Sequence, residues 1–567
     1  MASPSSHLAT GSRSVSIRES VPADRGAIAQ LLHNTFVAEL RQYQDNGSGH
    51  HIDKFDAKNT YFLAESEGKL VGAIAVHSQA PFSVAARLPE GVHMEEVADR
   101  PLEVRLLCVA PGLRFSRIAF RLMAASYRYA LAHGFRELWI SGVSAQIPLY
   151  KKLGFEELGP PVAAGDSFFS PMRVKTEGLP AALRREAMTE KLQPVAPKLL
   201  NLLPGPARLR PDVQEAAAKD PIYHRSAEFM RLSREVSQHL RDWGLPQRIA
   251  LLSGGGTLAN DAIANALRHL PKANAQPGVI LTSGEFGDRL AQHASAAGLE
   301  FELLRGAWGE TWPLDRLQEL LANGQPAWIW GVHLESSTGV LNPASTLLEM
   351  VDCQQVAVCL DCASSLGGVE IPEGAAMVSS VSGKSLEAIP GIAVIAADPH
   401  WVNEIQHHAA QSSSLCPPGL DLLEAWQMSE PPHTLASQLL LPLAVSLRNA
   451  CNPATATARL HKQAEIGRHV RAKLRSCGLR IVASEQDASP TLTTFEVPAG
   501  FTTTEFLERA RAWGFQLAGQ SCYLRRRRLA QIATLGNFSE QDLNAFFEAL
   551  HFLSEAVPAE SGMKSGS

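Results

Sequence analysis

A chain of 567 residues is too long for one hydrophobic core, since domains usually run to about 100–200 residues, so at least two folded units are expected. Hydrophobic residues at 45% and charged residues at 19% are ordinary for a globular protein, and a net charge of only −5 argues against nucleic acid or an anionic membrane surface as the main partner. The eight cysteines are scattered rather than packed into a disulfide scaffold, no apolar run reaches the roughly 18 residues of a membrane span, and Met1 to Ser14 lacks a signal-peptide core. A soluble, cytoplasmic protein is expected.

In chain order, residues 1–14 read as a disordered tail and 15–174 as a mixed α/β domain. Its pattern predicts an amphipathic helix over Ala23 to Leu40, strands at Tyr61 to Ala64 and Val71 to Val76, and a strand and helix across Val104 to His133. A strand over Glu137 to Val143 and a short helical stretch ending at Gly154-Phe155 complete it. Residues 175–198 are charged and hold three prolines, which predicts a partly helical linker.

From 199 to 397, short apolar strands alternate with helical patterns: Ile249 to Leu252, Gly278 to Thr282, Ala327 to Val332, Val356 to Leu360, Met377 to Val381 and Ile392 to Ile395. That alternation predicts a mostly parallel sheet flanked by helices. The spacing changes after Asp398, so 398–555 is expected to be a smaller α/β subdomain and 556–567 a disordered tail. Cys359-x-x-Cys362 has no second Cys or His pair at ligand spacing and is read as buried thiols rather than a metal site.

Three features of the second block carry chemistry. Ser253-Gly-Gly-Gly-Thr257 lies between a strand and a helix, a junction that aims backbone N–H groups and a positive helix end at a phosphate. Asp361 follows an apolar strand directly, at the end of the sheet where ligands bind; a carboxylate there can pair with a protonated pyridine nitrogen. Lys384 lies just past the next strand among apolar neighbours, where a lysine loses pKa and becomes an amine nucleophile.

These residues, with Pro204-Gly-Pro206, His224-Arg-Ser226, Gly284-Glu-Phe-Gly-Asp-Arg289, His333-Leu-Glu-Ser-Ser-Thr-Gly339, Asn342-Pro343 and Pro390-Gly391, resemble the class V aminotransferases, the group of alanine–glyoxylate and 2-aminoethylphosphonate transaminases. The resemblance spans roughly 350 residues. It implies fold type I of the pyridoxal-phosphate enzymes, a large mostly parallel-sheet domain with a small C-terminal subdomain. It implies further that Lys384 forms a Schiff base with pyridoxal 5'-phosphate, that Asp361 meets the ring nitrogen, and that Gly255, Gly256 and Thr257 hold the phosphate. Phe286 would stack on the ring, Ser337 would face substrate, and Thr434 would reach the phosphate of a neighbouring subunit in a homodimer. The implied reaction is transamination between a small amine or amino acid and a 2-oxo acid. One departure concerns substrate binding. The family's C-terminal arginine, which clamps the substrate's anionic group, is here Gln531, and a neutral amide cannot replace the guanidinium fork. Either the substrate lacks that group or Arg525 to Arg528 supplies the charge. The wording of Glu387 to Gly391 and of Ser412 to Thr434 is closer to the aminoethylphosphonate subgroup.

The first block also has a strand-turn-helix junction, Val104 to Val109, then Ala110-Pro-Gly112, then a helix from about Ser116, followed by Pro148-Leu-Tyr-Lys-Lys-Leu-Gly-Phe155. This order resembles the GCN5-related N-acetyltransferases. It implies that Leu113 to Ala119, including Arg114 and Ala119, holds the pyrophosphate of acetyl-CoA or another acyl-CoA, and that Tyr150 protonates the leaving thiolate. Glu103 is the candidate base for the acceptor amine. Where the family has a first glycine, this chain has Arg117. Glu103-Val-Arg-Leu-Leu, Asp53-Lys-Phe-Asp56 and Tyr61-Phe-Leu-Ala64 also resemble N-acyl amino acid synthases, which take acyl chains from acyl carrier protein. The whole chain therefore reads as a bifunctional aminotransferase and N-acyltransferase. The alternative is a pyridoxal-phosphate lyase or decarboxylase carrying a non-catalytic GNAT-like binding module.

Overall fold

The computed structural model describes residues 15–554, except 115, 165–166, 190–198, 271, 273–274, 410–421, 429–432, 451–452, 537 and 539. Both expected tails, the last part of the expected linker and most of Ser412 to Thr434 fall outside the described residues. The chain falls into two compact units, one running to Leu199 and including Glu508–Phe515, the other comprising Leu200–Leu507 and Gln516–Ser554. Among the described residues no helix is long and apolar enough to cross a membrane.

The first unit is an eight-stranded sheet in the order Val15–Glu19, Thr60–Ser66, Lys69–His77, Pro101–Val109, Glu137–Val143, Ser167–Lys175 and Glu156–Glu157, with Val162–Ala164 also on Ser167–Lys175. Alternate side chains of each strand face opposite sides. Phe62, Ala64, Ile74 and Val76 pack under helix Ile118–Ala132, while Tyr61, Leu63, Ala73 and Ala75 pack under helix Arg25–Leu32. Strand Pro101–Val109 is antiparallel to Lys69–His77 with a register shift opposite Leu106, whose φ is +54°. Its parallel pairing to Glu137–Val143 involves only Pro101–Glu103 against Glu137–Trp139. Beyond Glu103 the two strands part.

The structure corrects three expectations here. The helix expected over Ala23 to Leu40 is broken into a 3-10 turn Pro22–Asp24, helix Arg25–Leu32 and a π-helical stretch His33–Glu39, where Leu40 N–H donates to Thr35 O at 3.0 Å. The segment read as a linker from 175 is not free chain. Helix Ala181–Thr189 buries Leu183 and Ala187, with Leu179 just ahead of it, and Arg128 Nε donates to Ala187 O at 2.6 Å. Strand Ser167–Lys175, with Pro171 inside it, was not expected.

The second unit is built on a seven-stranded sheet in the order Arg248–Ser253, Ile392–Ala397, Met377–Val381, Ala357–Asp361, Trp328–Val332, Gly278–Thr282 and Phe301–Arg305. Ile392–Ala397 runs antiparallel to both of its neighbours and the other pairings are parallel. Both faces are covered, which is why the strands read as continuous apolar runs. On one face Ile249, Leu251, Ile329, Val358 and Val394 meet helix Ala227–Asp242, which presents Phe229, Leu232, Val236 and Leu240 one turn apart and is capped by Ser226 Oγ accepting from Phe229 N–H at 3.1 Å. On the other, Ala250, Leu252, Trp330, Cys359 and Ile395 meet helices Gly256–Leu267 and Glu285–Ala296. Cys359 and Cys362 are buried free thiols.

The change in spacing after Asp398 is not where the large sheet's cover ends. Trp401, Val402 and Ile405 pack into one core, and helix Ser437–Ala450 buries Leu440, Leu443 and Leu447 in the other. A separate small layer follows, built on strands Leu492–Glu496 and Leu529–Ala533 with helix Pro453–Ser476.

Candidate active site

A cavity of about 200 Å3 opens in the second unit at the C-terminal ends of its central parallel strands. Val332 and Asp361 close their strands there, Val381 ends the next, and the N-terminal part of helix Gly256–Leu267 contributes Gly256, Thr257 and Asn260. Phe286, Arg289 and His293 line it from helix Glu285–Ala296, and Lys384 and Ser364 from the loops beyond the strands.

Lys384 Nζ donates to Ser364 Oγ at 3.0 Å and lies 5.3 Å from the centre of the Phe286 ring. Burial pulls its pKa below the ordinary lysine range; the carboxylates of Asp361 and Glu335 oppose that pull and Arg289 adds to it. The result favours a neutral amine. Asp361 is buried, with Oδ2 accepting from Asn260 Nδ2 and Oδ1 from Ala363 N–H, both at 2.8 Å.

The glycines of the turn divide by role. A Cβ on Gly254 would lie 2.4 Å from Leu258, so that glycine serves the protein's own packing. A Cβ on Gly255 would meet nothing within 4 Å, and its φ of −103° suits any residue. The space beside Gly255, before the helix N-terminus, is left open by the protein's own packing and has room for an anion.

Glu335 is a site residue the sequence reading passed over. Its carboxylate is wholly buried and accepts from Gly287 N–H at 2.9 Å, Ser337 N–H at 3.1 Å, Phe286 N–H at 3.3 Å and Ser337 Oγ–H at 2.5 Å. It therefore satisfies the free amides at the start of helix Glu285–Ala296 and fixes the backbone that carries Phe286. Burial raises its pKa, against those hydrogen bonds.

The two expected substrate contacts are corrected. Ser337 is fully buried; its hydroxyl is spent on Glu335 and on Glu285 N–H at 3.0 Å, behind the cavity wall. Gln531, on strand Leu529–Ala533, is also buried, and its amide donates to Ser336 O and to Thr494 Oγ1, the latter at 3.0 Å. The arginine run does not line the cavity: Arg527 stacks on Trp308 at 3.8 Å and Arg528 donates to Phe501 O at 3.0 Å. Thr434 is exposed, its Oγ1 3.4 Å from His224 Nε2 and its carbonyl 3.4 Å from Ser253 Oγ.

In the first unit, Glu103 is neither at a strand end nor on the surface. It is buried inside its strand and accepts from Ser83 N–H at 2.9 Å, Val84 N–H at 2.8 Å and Ser83 Oγ–H, so both oxygens are committed to holding that loop rather than free to take an amine proton. Tyr150 is half-buried on helix Ile147–Lys152, edge-on to Phe155 at 6.3 Å, and burial raises its pKa. A phenol that keeps its proton suits the acid role. Arg114 forks onto Glu39 and Arg117 pairs with Glu186 at 2.8 Å, while Ala119 sits in the first turn of helix Ile118–Ala132. The Asp53 to Asp56 motif folds into a buried lattice: Arg105 donates twice to Asp53 at 2.9 Å, and Asp56 accepts from Arg25 at 2.9 Å and Tyr61 Oη at 3.0 Å.

Comparison with known proteins agrees with this division. The class V aminotransferase family model matches residues 213–503, just over half of the chain. The chain belongs to the class V aminotransferases. Residues 27–166 match the model described as N-acyl amino acid synthase FeeM. This class V aminotransferase is therefore an enzyme with an N-acyl synthase domain in its first unit. It is 28% identical to the alanine–glyoxylate aminotransferase of Rattus norvegicus over 331 residues, covering 56% of this chain and 77% of that protein. It is 24% identical to the 2-aminoethylphosphonate–pyruvate transaminase of Syntrophobacter fumaroxidans over 379 residues, covering 64% and 98%. The solved alanine–glyoxylate aminotransferase of Nostoc sp. superposes with a TM-score of 0.56 at 24% identity, covering 65% of this chain and 98% of that one, which supports the fold alone. The family uses pyridoxal phosphate, and the cavity's lysine, carboxylate, aromatic ring and open glycine turn suit that group.

Proposed function

We propose that the second unit transfers an amino group between a small amine or amino acid and a 2-oxo acid, using pyridoxal 5'-phosphate attached to Lys384, and that the first unit acylates an amine from an acyl-CoA or acyl carrier protein donor. The observation that carries the first half is the meeting, around one cavity, of a lysine with depressed pKa, a buried carboxylate and a glycine-led helix N-terminus.

When bound, the cofactor supplies an electron sink for the bonds at the substrate's α-carbon. The chain's residues do the rest. The N–H groups at Gly256 and Thr257 would hold the phosphate at the positive helix end, and Phe286 would pack against the ring. Asp361 would pair with the ring nitrogen and keep it protonated. Lys384, whose amine burial shifts toward the neutral form, would take the proton from the substrate's α-carbon and carry it between substrate and product. The names of the matched relatives favour alanine, glyoxylate or 2-aminoethylphosphonate as the first compounds to try. Thr434 would serve the phosphate of a partner subunit in a cytoplasmic homodimer.

For the first unit, the strand order, the bulge at Leu106 and the parting of strands beyond Glu103 support a GCN5-related N-acetyltransferase fold, in which a pantetheine arm would enter between the parted strands. Tyr150 is then the acid for the leaving thiolate. Incubating the purified chain with pyridoxal phosphate, an amino donor panel and pyruvate or glyoxylate should yield stoichiometric keto product and aminated acceptor. Adding acetyl-CoA, or acylated carrier protein, should yield an N-acyl amine. A second reading, a lyase or decarboxylase, is favoured by the buried, neutral Gln531. It predicts a new carbonyl compound or amine without amination of the acceptor.

A further inference from the structure

Asp361 and Ser379 are paired residues on adjacent parallel strands. On helix Gly256–Leu267, one turn in from its start, sits Asn260, buried and lining the cavity. Its side chain spans both: Nδ2 donates to Asp361 Oδ2 at 2.8 Å and Oδ1 accepts from Ser379 Oγ–H at 2.6 Å. A carboxylate can only accept, so the amide face toward Asp361 must be the NH2; the serine hydroxyl, donating to the other side, fixes that orientation. Leucine here would leave Asp361 Oδ2 and the Ser379 hydroxyl without these partners, and aspartate would set acceptor against acceptor. An amide answers both neighbours at once. With Ala363 N–H holding Oδ1, Asp361 is clamped at both oxygens and its rotamer is set by three elements: its own strand, the neighbouring strand and the helix that opens the phosphate turn.

We propose that Asn260 is a positioning residue for the reaction: it aims Asp361 at the cofactor's ring nitrogen and ties that aim to the helix that holds the phosphate. The inference rests on the reading that pyridoxal phosphate occupies this cavity. Ring nitrogen and phosphate belong to one small molecule, so a side chain on the helix whose N-terminus would hold the phosphate, and that also grips the carboxylate, would couple the two anchors.

The test uses the full chain loaded with pyridoxal phosphate, in the wild type and in Asn260→Asp, Asn260→Leu and Ser379→Ala. The readouts are the pH midpoint of the bound cofactor's visible band, the dissociation constant for pyridoxal phosphate, and kcat and KM separately. The charged groups bearing on Lys384, and hence on the band, are Asp361, Glu335 and Arg289, and only Asn260→Asp adds another, so the midpoint is decisive in Asn260→Leu. Asn260→Asp places a second carboxylate against Asp361 and is expected to act most strongly: a midpoint moved by about half a pH unit or more, cofactor affinity about tenfold weaker, and kcat at least about tenfold lower with KM nearly constant. Asn260→Leu should move all three in the same direction by less, and Ser379→Ala by about two- to threefold in kcat and affinity. A merely structural role would lower the melting temperature of the cofactor-free protein and leave the midpoint in place. Equal midpoints, affinities and kcat in folded Asn260 variants overturn the proposal; should those variants not fold, unchanged kcat and cofactor affinity in Ser379→Ala do so. A wild-type chain that forms no visible band at all overturns the cofactor reading itself, and the proposal with it.

Discussion

Each unit contains a strand, a turn and a helix whose N-terminus could hold a phosphate, and the two junctions have been filled in opposite ways. In the second unit the turn before helix Gly256–Leu267 is glycine, with open space at Gly255 and a cavity in front. In the first, the turn before helix Ile118–Ala132 carries Arg114 and Arg117, both engaged by carboxylates, Glu39 and Glu186. A backbone cradle needs the absence of side chains; a guanidinium gate needs their charge. The same local fold therefore says little until the residues on it are examined.

The comparison can be broken at several points. Asp361→Asn, which removes the charge facing the ring nitrogen, should lower transamination by about 100-fold or more, equal to about 2.7 kcal/mol of transition-state stabilisation. Steady-state rates with a fixed amino donor measure it, and a loss under threefold would detach Asp361 from the chemistry. Gly255→Ala should leave the melting temperature of the cofactor-free protein within about 2 °C, because no protein atom lies within 4 Å of the new methyl group, yet weaken pyridoxal phosphate binding about tenfold. Equilibrium titration decides between that and unchanged affinity, which would put the phosphate elsewhere. Arg117→Gly gives up an ion pair whose arginine side chain is 75% exposed, worth at most about 1 kcal/mol, and frees the helix N-terminus. It should tighten coenzyme A binding about threefold by calorimetry; weaker binding would show Arg117 itself to be a phosphate ligand.

The second unit was the more legible in sequence because its sheet is covered on both faces. Apolar runs such as Met377–Val381 announce buried strands, and reactive residues at their ends, Asp361 and Lys384, are then conspicuous. The misses have physical causes too. Pro171 inside Ser167–Lys175 and the mixed polarity of that strand concealed it. Among its described side chains helix Ala181–Thr189 buries Leu183 and Ala187, one turn apart, between charged residues, and so reads as linker. Glu103 was the candidate base because a carboxylate can take a proton, and Ser337 and Gln531 were set at the substrate by their places in the family's motifs. Only the three-dimensional structure shows that their polar atoms are already taken up by Ser83, Glu335 and Ser336. Asn260 carries no signal of its own, since its importance lies in spanning two strands that are 18 residues apart in sequence at the paired positions Asp361 and Ser379.

The most direct test of the account is the visible spectrum of the purified chain after addition of pyridoxal phosphate. With Lys384 present, a band of the protein-attached cofactor should form at a rate that rises with pH and levels off below the ordinary lysine pKa of about 10.4, because burial depresses the pKa of this amine. In Lys384→Ala that band and the turnover should both vanish while the fold is retained. Retention of the band and of turnover in Lys384→Ala would contradict the account.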